Sequence, residues 1–73
     1  MFATLRNLKI GDNVSIATYN QISYEVYNGT VDEIRYSNGK GKPGSMVYGL
    51  VLRDEDGDTV ELSTVEIFNI DVL

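Results

Sequence analysis

Two loops of this chain carry the residue types that metal and phosphate chemistry need. Asp54-Glu55-Asp56-Gly57-Asp58 sets four acids around one glycine, and hard cations take such oxygen donors. A helix–loop–helix calcium site places glycine at its sixth position and a bidentate glutamate at its twelfth. Counted from Asp54, those positions hold Thr59 and Val65, and the flanking residues alternate like strands. The acids therefore read as a hairpin tip with an acidic surface, and no metal site is expected. Gly39-Lys40-Gly41-Lys42-Pro43-Gly44-Ser45 has the glycine content of a phosphate cradle. A P-loop needs lysine directly after its last glycine and a helix behind it. Here Ser45 follows Gly44 and a strand pattern comes next. The segment belongs to a flexible loop, residues 37–45, whose Lys40 and Lys42 can reach an acidic partner or a phosphate.

Tyrosine is the other chemistry-bearing residue. Tyr19, Tyr24, Tyr27, Tyr36 and Tyr48 are many phenols for 73 residues. Tyr24 and Tyr48 can be core residues whose hydroxyls reach the rim, and some of the others should be exposed. Exposed tyrosines anchor binding sites because they supply area at low entropic cost. A cage for a methylated cation would need two or more rings converging on an acid. The chain has no histidine and no cysteine. Disulfides, thiolate metal sites, a cysteine nucleophile and the commonest general base are thereby excluded. The remaining Asp, Glu, Lys, Tyr and Ser residues form no catalytic constellation, so neither an enzyme nor a cofactor is expected. Asn28-Gly29-Thr30 matches a glycosylation sequon, which is read as chance in a chain with no secretory signal.

Charge is unevenly spread along the chain. Residues 1–53 hold all six bases against four acids, while residues 54–73 hold seven acids and no base. The net charge of −5 argues against a general phosphate-backbone binder. The mild upstream excess of bases leaves room for a local contact with nucleic acid. No apolar run is long enough for a signal peptide or for the ~18–20 residues of a membrane span. A cytoplasmic protein of a bacterium or an infected host cell is expected. Its size and charge fit a phage or mobile-element product that modulates a host protein.

Seventy-three residues make one domain, and a core this small is marginal. β-Branched and aromatic residues dominate and helical periodicity is poor, so the class is all-β. Residues 2–10 form a short helical turn or an irregular lead-in. Asn13 to Thr18 alternates as a half-buried strand. Tyr24 to Tyr36 is a long second strand, interrupted at Asn28-Gly29 and with a bulge or strong bend near Val31 and Ile34. Val47 to Arg53 and Asp58 to Leu62 flank a hairpin turn with Gly57 in the left-handed position. That turn pairs Leu52 with Val60 and Leu50 with Leu62. Tyr48, Leu50, Leu52, Val60 and Leu62 then share the core face, while Val47 and Val51 face outward as an apolar pair that could join copies of the chain. Ser63 begins a single 3₁₀ turn, as a plausible N-cap. Phe68, Ile70 and Val72 alternate as a fifth strand.

GDNVSI, NGTVDEI, YGLVLRDEDGDTVEL and STVEIFNI resemble the layout of SH3-like barrel domains. These include KOW-type and Tudor-like modules and small photosynthetic accessory subunits. The resemblance spans residues 8–72. It implies a five-stranded SH3-like barrel with a short 3₁₀ turn before the last strand. It also implies a protein-interaction module or accessory subunit whose binding surface combines Tyr19, Tyr24, Tyr27 and Tyr36 with Lys40 and Lys42. The acidic surface of Asp54, Glu55, Asp56 and Asp58 would complement a basic partner. A nucleic-acid-binding barrel using the tyrosine-rich side, and a homo-oligomer paired through Val47 and Val51, are the alternatives. The plasmid-encoded dihydrofolate reductases are similar in size and architecture. Their pore needs a Gln-Ile-Tyr motif, and the matching stretch here is Glu61-Leu62-Ser63, which argues against that activity.

Overall fold

The computed structural model describes residues 5–73. A 3₁₀ turn at Leu5–Asn7 leads into five strands. They are β1 (Asn13–Tyr19), β2 (Tyr24–Tyr36), β3 (Val47–Arg53), β4 (Thr59–Ser63) and β5 (Ile67–Val72), with a second 3₁₀ turn at Thr64–Glu66. All pairs are antiparallel, in one sheet ordered β4-β3-β2-β1-β5. The part of the lead-in before Leu5 lies outside the described residues.

β2 serves two partners. Tyr24 to Thr30 pairs with β1, and Thr30 to Tyr36 pairs with β3. The strand runs unbroken through Asn28-Gly29, where an interruption was expected. Gly29 lets it turn there, because a Cβ at this position would stand 2.7 Å from the Arg53 carbonyl oxygen. The sheet thus curls over its own inner face. Leu8, Val14, Ile16, Val31, Leu50, Leu52, Leu62 and Ile70 form one buried cluster with members from all five strands. β-Branched and leucine side chains at alternate positions supply this face, which is why the strands form where they do.

The β3–β4 hairpin has the register the turn dictates, with Leu52 opposite Val60 and Leu50 opposite Leu62. Gly57 has φ 85°. The Asp54 carboxylate closes the turn by accepting from the Asp56 and Asp58 amides, both at 2.9 Å. The acid at the head of this loop is therefore occupied with backbone donors. Arg53 braces the same turn, donating to Asp32 at 3.2–3.3 Å and to the Gly57 carbonyl at 3.1 Å.

Bulges move three residues away from simple alternation. Between β2 and β3, Arg35 faces Gly49 but Tyr36 faces Val47. Tyr48 is the extra residue. It turns outward, 51% exposed, instead of joining the core, and Val47 packs against the core cluster in its place. Asp32 is the extra residue where Val31 faces Leu52 and Glu33 faces Val51. Between β1 and β5 the pairing shifts from Asn69 to Ile67, which leaves Phe68 unpaired and 58% exposed.

Val51 does lie on the outer face, opposite Glu33 and Glu61. It is nonetheless only 8% exposed. Arg35 lies over the neighbouring Gly49 and pairs with Glu33 at 3.4 Å and Glu61 at 2.5 Å. This ion-paired cover shields the valine. Val47 and Val51 therefore do not form an exposed apolar pair.

The second 3₁₀ turn is anchored differently from its expected N-cap. Ser63 makes no capping side-chain bond. Thr64 instead donates its hydroxyl to the Val47 and Tyr48 carbonyls at 3.3 and 3.2 Å. This ties the turn to β3 and leaves Val65 and Glu66 at the surface beside β5.

Candidate functional site

The tyrosines separate into three places. Tyr19 and Tyr24 face each other as the last pair of the β1–β2 ladder. The loop between them is closed by Asn20, whose side-chain oxygen accepts from the Ile22 and Ser23 amides at 3.1 and 2.9 Å. Phe68, pushed outward by its bulge, brings its ring to 5.4 Å from that of Tyr24, tilted by 47°. Such a tilt suits the quadrupoles of two rings. Val65 and Glu66 from the 3₁₀ turn complete the group. Together Tyr19, Tyr24, Val65, Glu66, Ile67 and Phe68 line a shallow cavity of about 400 Å³, within the range of small-ligand sites.

Tyr27 lies on the other face of β2, opposite the buried Ile16. Its hydroxyl donates to the Glu25 carboxylate. That hydrogen bond raises the phenol above its ordinary value, helped by partial burial and by the charges of Glu25 and Glu66. Glu25→Gln should therefore bring the Tyr27 phenol down in an ultraviolet titration. The sign for stability follows from proton binding. The folded chain holds this proton more tightly, so the contribution is intact below the ordinary tyrosine range and lost as pH rises through the raised value. A phenol titration left unchanged by Glu25→Gln would refute this.

Tyr36 ends β2 at the far side of the molecule from Tyr24. With Lys9, Lys40, Leu8, Ile10 and Ile34 it lines a second cavity of about 290 Å³. Lys42 is exposed in the adjoining loop, where its stem passes Gly39. The expected surface of four tyrosines and two lysines is thus not continuous. One end is aromatic and acidic, and the other carries the lysines.

Sequence reasoning passed over Phe68, Val65 and Glu66. Alternation with Ile70 and Val72 places Phe68 inside, and only the bulge opposite Ala17 and Thr18 turns it out. The signal that was available is Val65, an apolar residue in a turn too short to bury it. Comparison with known proteins yields no match to a family model, a curated protein or a solved structure. Among the described residues, no helix is long and apolar enough to cross a membrane.

Proposed function

We propose that the chain is a non-catalytic protein-interaction module, an accessory or modulator subunit built as an SH3-like barrel. Its partner docks on the end formed by Tyr19, Tyr24 and Phe68. The strand order, the bent β2 shared by two partners and the 3₁₀ turn before β5 support the barrel reading. The observation that carries the binding reading is the gathering of three exposed rings from β1, β2 and β5 around one cavity. Single exposed apolar residues are ordinary, but a contiguous aromatic group marks a recognition surface. Such residues are the usual anchors of interfaces.

The cavity of Lys9, Tyr36 and Lys40 favours a second reading, nucleic-acid binding, in which bases track phosphates and the ring stacks on a base. One experiment separates the two. The immobilised chain, its Phe68→Ser variant and its Lys40→Glu variant are each exposed to host extract with and without nuclease. Retention of the same protein by wild type and Lys40→Glu, with loss of about tenfold or more on Phe68→Ser, is the expected result. A nuclease-sensitive catch that fails on Lys40→Glu and survives Phe68→Ser would replace this reading with the second.

A further inference from the structure

We propose that the cavity of Tyr19, Tyr24 and Phe68 receives an arginine side chain from a basic segment of the partner, its guanidinium stacked on the rings and hydrogen-bonded to Glu66. The inference rests on the protein-binding reading and names the chemistry of the same site. Ring faces are negative and attract cations. Glu66 lines the cavity, half-buried, and makes no ion pair among the described residues. Glu25 stands close enough that both carboxylates act on the Tyr27 phenol. Among the described residues, no ion pair joins a base to either carboxylate. Arg35 is held by Glu33 and Glu61, Arg53 by Asp32, and Lys9 and Lys40 line the other cavity. This end of the molecule therefore sets carboxylates beside the rings on a chain of net charge −5, complementary to a basic partner.

The shape selects among cations. A compact ammonium is strongly hydrated and needs an enclosing site to replace its water. A guanidinium is flat, weakly hydrated and stacks on an open ring face while its fork reaches a carboxylate. The cavity is shallow and lined by both the rings and Glu66, which suits the flat group.

The test uses the full chain labelled for NMR and three blocked hexapeptides. In them glycine alternates with arginine, with lysine or with citrulline, the neutral analogue of arginine. The arginine peptide should saturably shift the amides of Tyr19, Tyr24, Glu66 and Phe68, and citrulline should not. Lysine should bind more weakly than arginine, and Glu66→Gln should weaken arginine binding by about tenfold. The citrulline arm needs no variant, so a folding defect in Glu66→Gln cannot decide the outcome. Shifts confined to the Asp54–Asp58 hairpin, equal binding of citrulline, or no shift at all would each overturn the proposal. If the partner capture still depends on Phe68 while the arginine peptide fails, the arginine inference falls and the protein-binding reading stands.

Discussion

Gly29→Ala is expected to destabilise the fold by about 2 kcal/mol, the usual range for forcing volume into a packed site. Gly29→Val should leave the chain largely unfolded. Alanine for glycine in a strand ordinarily stabilises by about 0.4–1 kcal/mol, because the unfolded chain loses freedom. The sign reverses here because of what the new Cβ would meet. It would lie 2.7 Å from the Arg53 carbonyl oxygen and 3.2 Å from its carbon. Both are backbone atoms on β3 and cannot rotate aside. Thr30, the next residue, pairs with both Asn13 and Arg53. The clash therefore falls where β2 passes from one partner to the other, and relief means parting β2 from β3. A chain of 73 residues has a total stability on the order of 4–11 kcal/mol, so the loss is a large share. Equilibrium urea unfolding measures it. An alanine variant as stable as wild type would show that the bend does not depend on this close approach.

The β3–β4 hairpin was the most legible part of the molecule. Asp56-Gly57 between two alternating apolar runs sets a turn type, the turn sets the register, and the register sorts Leu50, Leu52 and Leu62 inward. Local chemistry decides all three steps, so sequence suffices. The bulges at Tyr48 and Phe68 are different. Each exists because two strands of unequal local length are paired, and one strand read alone carries no trace of its partner. Alternation therefore places both rings in the core, whereas both are exposed. Val51 fails in the opposite direction. Its parity is outward, as read, but Arg35 reaches across from β2 to Glu61 on β4 and covers it. The candidate site shares this history. Tyr19 was legible as a phenol in a polar loop, whereas Tyr24, which could be read as a core residue, is exposed. Their convergence with Phe68 and Glu66 depends on β5 pairing beside β1, a contact that spans most of the chain. Tyr36 and Lys40, grouped with them on composition, lie at the opposite end because β2 is long and unbroken.

Leu50→Ala should cost about 3–4 kcal/mol, and Phe68→Ser less than about 1 kcal/mol. The contrast separates what the two residues are for. Leu50 is wholly buried between Ile34 and Leu62, its partners on β2 and β4. Removing its isobutyl group loses the transfer energy of the missing carbons and leaves a void that flanking strands can only partly close. Phe68 keeps more than half its surface in water and contributes one tilted ring contact to Tyr24. Its loss removes little from the fold, while any ligand that rests on the ring loses its platform. Urea midpoints and partner retention, measured on both variants, should therefore separate. Leu50→Ala lowers the midpoint, and its remaining folded fraction still binds. Phe68→Ser leaves the midpoint nearly in place and abolishes retention. A Phe68→Ser variant that unfolds as readily as Leu50→Ala would mean that the exposed ring is structural, and the aromatic end would lose its claim to be a binding surface.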